Sequence, residues 1–199
     1  MALVNILIVL ACCWLVAVEA GLEEDYLKEH NRLRKLHGTP PLVLDADLSK
    51  GCEEYAKELA KTQNMVHSSG GGAKYGENLC MRSHKALICV QDWYDEIKLY
   101  DFDNPGFSME TGHFTALVWK GAKKLGIGQA TDKKGYFWVV GRYYPPTNVN
   151  GLFKEHVPKP IKDAGHGSGS GKDDDEDSSS MVRANTILLL IALCLHFTN

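Results

Sequence analysis

The stretch GHFTALVW, residues 112–119, begins with a glycine and a histidine and continues as a mostly apolar run. The run Phe114–Trp119 predicts a short, buried helix. Downstream, the segments Leu125–Ala130 and Tyr136–Tyr144 are rich in strand-forming residues, and the polar segment 131–135 separates them. This arrangement predicts an antiparallel hairpin that follows the helix directly.

Three more helices are predicted upstream of this stretch. Apolar residues recur at helical spacing across Leu22–Leu36, and Gly38 ends this first helix. Asp45 or Asp47 is the N-cap of a second helix. A third helix covers about Ser83–Tyr100. Because the helices come first and the hairpin later, the predicted fold class is α+β.

The first 20 residues predict a signal peptide. Leu3–Val18 is almost entirely apolar, and the sequence Val18-Glu19-Ala20 that closes it suits signal peptidase. A signal anchor that stays in the membrane is the alternative. Cleavage after Ala20 leaves residues 21–163 as one domain, and it predicts a location in the extracellular region or on the outer face of the plasma membrane.

Two further segments follow this domain. Residues 164–180 are rich in Gly, Ser and Asp and predict a solvated stalk. In the hydrophobic tail, residues 181–199, the apolar run Ile187–Phe197 is shorter than the roughly 20 residues that a membrane-spanning helix needs. Small residues, a short spacer and a terminal apolar run are typical of a glycosylphosphatidylinositol (GPI) attachment signal, with Ser178–Ser180 as acceptors. A weak tail anchor and a fully secreted form are the alternatives.

Charge and cysteine content narrow the possible partners and cross-links. The chain has a formal net charge of −3, and its acidity is concentrated in the stalk. The near-neutral domain lacks the concentrated positive field that nucleic acid binding requires, so no nucleic acid partner is expected. The domain retains Cys52, Cys80 and Cys89, which allow one disulfide in an oxidising compartment. All three pairings stay open.

Four segments are polar where a core-building pattern would be apolar. They are His30-Asn31-x-x-Arg34-x-x-His37-Gly38, Gly76-Glu77-Asn78-Leu79, the stretch 112–119, and Arg142-Tyr143-Tyr144-Pro145-Pro146-Thr147-Asn148. In this order, over about Tyr26–Leu152, they resemble the signature segments of the CAP superfamily of cysteine-rich secretory, antigen 5 and plant pathogenesis-related proteins. Trp93-Tyr94-x-Glu96-Ile97 and Asn104-Pro105-Gly106-Phe107 are most similar to its Golgi-associated plant pathogenesis-related branch. The resemblance implies a three-layer α-β-α sandwich with a small antiparallel sheet.

The resemblance also implies a cleft that gathers two histidines and two glutamates. The matching positions here are His67, Glu77, Glu96 and His113. Two imidazoles with a carboxylate can bind Zn²⁺ and leave a position open for water, and His67 and His113 are the predicted histidine ligands. Two neighbouring carboxylates also push their pKa values apart, as a general acid and a general base require.

Each member of this tetrad also has a purely structural interpretation. Glu77 in a Gly-Glu-Asn turn can accept hydrogen bonds from backbone amides, and His113 can be a satisfied core histidine. Glu96 can be a surface charge on the third helix. A different polar set, His30, Asn31, Arg34 and His37, shares one helix face because its members are three or four residues apart. We predict that this set forms buried hydrogen bonds that fix the first helix to the rest of the domain.

Three aromatic residues follow the third helix: Tyr100, Phe102 and Phe107. Their spacing looks like the caveolin-binding-type motif, which lies in a lipid-capturing loop in sterol-binding CAP proteins. The turn signal Asn104-Pro105-Gly106 favours a loop here. Large apolar rings on a loop can cover a flat sterol. The alternative is that the rings pack into the core.

Together these observations predict a secreted or cell-surface domain that binds a lipid, a sterol or an extracellular protein, with a cleft that can bind zinc. A homodimer stays open. One rival hypothesis is a metal-assisted hydrolase that uses the His/Glu tetrad. The other is a defence or venom-type effector that acts on a protein target through its surface.

Overall fold

The computed structural model describes residues 21–161 of the chain. The predicted signal peptide (1–20), stalk (164–180) and tail (181–199) lie outside the described residues. Within 21–161, no helix is both long enough and apolar enough to cross a membrane.

The described chain contains five helices and four strands. The first helix, α1, is helical from residue 21, where the description starts, to residue 36. The other elements are β1 (Val43–Leu44), α2 (Ala46–Thr62), β2 (Gly76–Arg82), α3 (Cys89–Asp95), α4 (Gly112–Val118), β3 (Lys124–Thr131), β4 (Phe137–Tyr144) and α5 (Phe153–His156). Short 3₁₀ turns, Ala86–Ile88 and Glu96–Leu99, flank α3. As predicted, Gly38 adopts a left-handed φ of 63° after α1, and the Asp45 side chain caps α2.

The four strands form one sheet in the order β1-β3-β4-β2. β3 and β4 pair antiparallel, which confirms the predicted hairpin, and β2 adds to the far side of β4. At the hairpin turn, Asp132 Oδ1 accepts hydrogen bonds from the backbone N–H groups of Lys134 (2.8 Å) and Tyr136 (3.0 Å). Strand β1 pairs in parallel with the start of β3.

Helix α2 covers one face of the sheet at very short range. Trp138 and Val140 of β4 pack against the buried face of α2. The alternate residues of β3 on this face are Gly126 and Gly128. A Cβ atom at Gly126 would lie 2.4 Å from Leu48 Cβ, and one at Gly128 would lie 2.2 Å from the backbone N of Glu53. The two glycines therefore let the backbone of α2 approach the strand.

The opposite face of the sheet carries the larger core. Leu125, Ile127, Val139 and Tyr143 point to this side and are almost completely buried. Their partners come from α1, α3 and α4, in a cluster that includes Tyr26, Leu33, Val90, Trp93, Phe114 and Leu117. Helices thus cover both faces of the sheet, which is the expected three-layer α-β-α sandwich.

Two local predictions are wrong. The segment that starts at Gly76 is not a turn but strand β2, which pairs with β4 from Gly76↔Tyr143 onward. Its first residues, Glu77 and Asn78, are polar yet buried, so the segment shows no alternation of apolar and polar residues. The third helix is shorter than Ser83–Tyr100 because 3₁₀ turns replace its first and last parts.

The structure settles the cysteine pairing that the sequence leaves open. Cys80 on β2 and Cys89, the first residue of α3, form a disulfide, and Cys52 is the remaining free thiol. Cys52 is completely buried on the face of α2 that packs against the sheet, and this burial raises the pKa of its thiol to about 12. A neutral, inaccessible thiol is a poor nucleophile.

The polar face of α1 is buried and hydrogen-bonded, as predicted. His30 Nδ1 donates to the carbonyl of Tyr26 (2.8 Å), so its Nε2 accepts from the hydroxyl of Tyr143 (3.0 Å). Asn31 exchanges two hydrogen bonds with the backbone of Leu42. The Arg34 guanidinium is fully buried and donates only to backbone carbonyls, those of Pro40, Leu117, Trp119 and Ala122.

The last described residues return to the end of α1. His37 Nδ1 donates to the carbonyl of Pro158 (2.6 Å), and the backbone N–H of Ile161 donates to the carbonyl of Leu36 (2.8 Å). Lys159 forms an exposed ion pair with Asp103 (2.7 Å). Upstream, Phe153 and Val157 are buried in the larger core. We call residues 157–161 the terminal segment.

We expect the free energy of unfolding to decrease as the pH is lowered from about 6.5 towards 4. Burial lowers the pKa of His30 from 6.5 to about 4 in the folded protein. Between these values the unfolded chain binds more protons, so stability is complete above pH 6.5 and falls by about 1.4 kcal/mol per pH unit below it. Urea unfolding of wild type and of His30→Gln across this range is the measurement. Identical pH slopes for the two proteins would contradict this assignment.

Candidate functional site

The predicted tetrad forms two His–Glu pairs. His67 Nδ1 lies 3.0 Å from Glu77 Oε1, and His113 Nδ1 lies 2.6 Å from Glu96 Oε1. Next to Glu77 on β2, the Asn78 amide donates to the backbone carbonyl of His113 (3.0 Å). This bond connects β2, which carries Glu77, to α4, which carries His113.

Glu77 is the most firmly held member of the tetrad. Its carboxylate accepts hydrogen bonds from the backbone N–H (2.9 Å) and hydroxyl (2.7 Å) of Ser68 and from Arg142 Nε (3.0 Å). Burial raises the pKa of Glu77, but hydrogen bonds from His67, Ser68 and Arg142 outweigh it and lower the pKa to about 2. Glu77 is therefore ionised at neutral pH.

Arg142 supports Glu77 from the neighbouring strand β4. The two residues are direct cross-strand partners, and their side chains are almost completely buried. The Arg142 guanidinium lies over the ring of Tyr75 at 4.4 Å and near that of Tyr55 at 5.5 Å. The Tyr75 hydroxyl is 3.0 Å from Ser68 Oγ. The ring that packs on Arg142 is therefore also hydrogen-bonded to the serine that binds Glu77. Arg142 belongs to one of the polar segments noted in the sequence, whereas the support from Tyr55, Ser68 and Tyr75 is not apparent there, because these residues come from other segments.

Glu96 binds the start of α4. Its Oε2 accepts hydrogen bonds from the backbone N–H groups of His113 (2.9 Å) and Phe114 (3.1 Å), which have no partner within the helix. The His113 ring stacks on Trp93, with ring centroids 6.3 Å apart and planes 28° apart. Trp93 Nε1 in turn donates to the carbonyl of Leu79 on β2 (3.0 Å).

The donor types of the cleft suit zinc. Each histidine turns Nδ1 towards a carboxylate, so Nε2 is the atom left to bind a metal, and the carboxylate fixes the ring orientation. In residues 21–161, the one group of three potential ligand atoms within 4.8 Å of one another is Cys80, Cys89 and Asp92, and its two sulfurs are bonded together. His67 and His113 lie outside this group.

The cleft gives little support for acid–base chemistry between its carboxylates. Within the described part of the chain, no hydrogen bond joins Glu77 to Glu96, since each is bonded to its own histidine and to backbone N–H groups. A shared proton, which would push the two pKa values apart, is therefore not part of this arrangement.

The three aromatic residues of the predicted lipid-binding loop have different surroundings. Tyr100 is buried and packs against Phe102 (ring centroids 4.9 Å apart) and Phe114 (5.5 Å). Phe102 also packs against this core. Phe107 is 52% exposed, and its ring centroid is 6.5 Å from that of Phe153. Phe107 is therefore the most exposed of the three rings and the one most available to a ligand.

A separate apolar groove of about 620 Å³ lies between the first turns of α1 and the 3₁₀ turn before α3. We call it the α1 groove. Its lining comprises Leu22, Asp25 and Glu29 of α1, Lys85, Ala86, Leu87 and Ile88 of the 3₁₀ segment, Gln91 of α3, and Gln129 and Phe137 of the sheet. The groove is not apparent from the sequence, because no motif marks its residues and only the packing of α1 brings them together.

Sequence comparison identifies relatives over most of the domain. The model of the cysteine-rich secretory protein (CAP) family matches residues 27–143. The human Golgi-associated plant pathogenesis-related protein 1 is 43% identical over 143 residues, which are 69% of this chain and 93% of that protein. The basic form of pathogenesis-related protein 1 from Nicotiana tabacum is 33% identical over 131 residues, covering 64% of this chain and 72% of that protein.

Solved structures show the same fold at lower identity. Schistosoma mansoni venom allergen-like protein 4 superposes with a TM-score of 0.53 at 20% identity, covering 69% of this chain and 94% of that chain. The structure titled NaASP2 with Zn²⁺ gives a TM-score of 0.52 at 22% identity, covering 69% of this chain and 85% of that chain. The family match, the human relative and the shared α-β-α sandwich agree, and the chain belongs to the cysteine-rich secretory protein (CAP) family.

Proposed function

We propose that this CAP-domain protein acts outside the cell and binds a lipid or sterol in the α1 groove. The observation that carries the proposal is the groove itself, an open site with a mainly apolar surface. Its volume lies within the roughly 300–1,000 Å³ of typical small-molecule sites. The extracellular location rests on the predicted signal peptide and on the disulfide, which an oxidising compartment favours.

The chemistry of the groove fits an amphiphile. Leu22, Ala86, Leu87 and Phe137 supply apolar surface for an acyl chain or a sterol ring system. The charged residue on the 3₁₀ wall is Lys85, an exposed side chain that can approach a polar or anionic head group. Leu87 is 37% exposed, so part of the apolar wall is already in contact with solvent and can be covered by a ligand.

We expect Leu87→Asp to weaken lipid binding about tenfold or more. Burial of a leucine side chain against a ligand is worth roughly 1.5–3 kcal/mol, and the introduced carboxylate would have to be desolvated. Titration of the mature protein with cis-parinaric acid and with dehydroergosterol, two fluorescent lipids, is the measurement. The matched control is Val43→Asp, which changes an exposed apolar residue on β1, outside the groove.

Phe107 remains the second predicted position for an apolar ligand, and Phe107→Ser distinguishes the two. Both substitutions are at partly exposed side chains, so circular dichroism should show intact folds. Loss of binding in Phe107→Ser together with wild-type binding in Leu87→Asp would place the ligand at the 100–111 loop and refute the groove. Wild-type binding by both variants would refute both positions.

We propose a second function, zinc binding at the cleft. Its support is that a glutamate carboxylate is hydrogen-bonded to Nδ1 of each histidine, so that Nε2 is left for a metal. Zinc-bound histidines are usually held in this way by a carboxylate on the other ring nitrogen. A bound Zn²⁺ would supply a Lewis acid. His67 and His113 would hold it, and Glu77 and Glu96 would orient them. A hydrolase is less well supported, since Glu77 is ionised and already accepts hydrogen bonds from three residues.

We expect the variant His67→Ala/His113→Ala to lose at least a hundredfold in zinc affinity. We also expect wild-type affinity to fall as the pH is lowered, because imidazole must be neutral to bind a metal. Calorimetric titration with ZnCl₂ measures both effects. The control is His84→Ala, an exposed histidine whose ring is hydrogen-bonded to Ser83 and not to a glutamate. Equal affinities of the double variant and wild type would place any metal elsewhere.

A further inference from the structure

The Cys80–Cys89 disulfide closes the chain segment that forms one wall of the α1 groove. Cys80 lies on β2 and Cys89 begins α3, nine residues later in the sequence. Lys85–Ile88, which lie between them, supply four of the residues that line the groove. The cross-link and the groove wall are thus parts of the same short loop.

The wall is attached to the rest of the domain through Ala86, which is buried in the larger core. The hydrogen bonds of its 3₁₀ turn are local, such as Ile88 N–H to the carbonyl of Lys85 (2.9 Å). Only Ala86 is buried among the four, and Lys85 has a left-handed φ of 52°, which is unfavourable for a residue other than glycine.

The disulfide is accessible from one side. Cys80 is partly exposed, whereas Cys89 is completely buried. A thiolate from an external thiol can therefore attack the Cys80 sulfur, and Cys89 leaves as a thiolate. A second external thiolate then attacks the external sulfur of this mixed disulfide. The attack frees Cys80 as a thiolate and joins the two external thiols in a disulfide, and protons from water neutralise the two cysteine thiolates.

The neighbourhood disfavours the thiolate form of both cysteines once the bond is broken. The carboxylate of Asp92 lies within 4.8 Å of both sulfur atoms, and it is ion-paired with Arg82. A newly formed thiolate beside this carboxylate is repelled by it. Arg82, at the end of β2, moderates that repulsion but is itself attached to the strand and not to the loop.

We propose that the Cys80–Cys89 disulfide is a redox switch of the α1 groove: reduction by a small thiol releases residues 83–88 and lowers the affinity of the groove for an apolar ligand. The switch rests on the proposed lipid-binding function. Without the cross-link, the loop 83–88 populates more conformations, and only those with a formed wall bind the ligand. The apparent affinity falls with the fraction of these conformations.

Two readouts test the switch on the full mature protein, oxidised or treated with dithiothreitol. Hydrogen exchange measured by mass spectrometry should become at least tenfold faster in residues 83–88 on reduction. The hairpin turn 131–135 is the internal control and should not change. The dissociation constant for cis-parinaric acid should rise at least tenfold on reduction. The variant Cys80→Ser/Cys89→Ser should behave like reduced wild type in both readouts and should not respond to dithiothreitol.

The two readouts separate failure of the switch from failure of the lipid function. Unchanged exchange in residues 83–88, or unchanged lipid affinity in a protein that binds lipid, overturns the switch. Faster exchange in a protein that binds no parinaric acid in either state supports release of the wall but overturns the lipid-binding function. If the double serine variant does not fold, reduced wild type alone decides, because it needs no substitution.

Discussion

Replacing Arg34 with alanine is expected to remove most of the free energy of unfolding of the domain. The guanidinium is fully buried and donates five hydrogen bonds to four backbone carbonyls. Two of these carbonyls, Leu117 and Trp119, lie at the C-terminal end of α4, where helix carbonyls have no partner of their own. Burial lowers the pKa of Arg34 to about 10, so the side chain remains charged at neutral pH.

We expect a loss of about 4 kcal/mol or more for Arg34→Ala, since it leaves several buried carbonyls unsatisfied and also a cavity. The total free energy of unfolding of a domain of this size is about 5–15 kcal/mol. Urea unfolding followed by circular dichroism measures the change. Arg32→Ala is the matched control: Arg32 is two residues away on α1 and pairs with Glu29 at the surface, so its loss should cost less than about 1 kcal/mol. Equal midpoints for the two variants would refute the role given to Arg34.

Replacing Gly128 with alanine is expected to destabilise the domain by about 3 kcal/mol or more. The added Cβ would lie 2.2 Å from the backbone N of Glu53 and 2.6 Å from the backbone C of Cys52. Because both are backbone atoms within α2, no side chain can rotate away, and the whole helix must shift from the sheet. Overpacking of a core usually costs about 1–3 kcal/mol, and more where the backbone has to move.

Thermal unfolding of Gly128→Ala against Gly106→Ala tests this expectation. A Cβ atom at Gly106 would meet no other atom within 4 Å, so this control should unfold at nearly the wild-type temperature. A Gly128→Ala protein as stable as the control would mean that α2 is not packed against the sheet at this distance.

The sequence allows the prediction of elements that have regular patterns. The hairpin β3–β4, the end of α1 and the buried polar face of that helix follow from strand-forming composition, helical spacing and turn residues. Strand β2 does not follow from them, because its first residues are the polar Glu77 and Asn78. Their burial depends on Arg142, Ser68 and His67, which approach only after the fold has formed.

The four residues of the site were predicted through the family resemblance and not from local pattern. Nothing in the spacing of His67, Glu77, Glu96 and His113 shows that they form two hydrogen-bonded pairs. In the aromatic loop, by contrast, the spacing groups residues that the fold separates. The spacing of Tyr100, Phe102 and Phe107 suggests one surface, but Phe114 draws the first two rings into the core and leaves Phe107 outside.

The terminal segment determines how the domain would respond to mechanical force. Tension applied to the chain beyond residue 161 acts first on the hydrogen bond from Ile161 to Leu36, and next on that from His37 to Pro158. The buried side chains of Val157 and Phe153 come after these. The strands are loaded only when these attachments have failed. Pulling would therefore detach the terminal segment from the end of α1 while the sheet stays intact. Residues 157–161 would thus extend before any load reaches the strands of the domain.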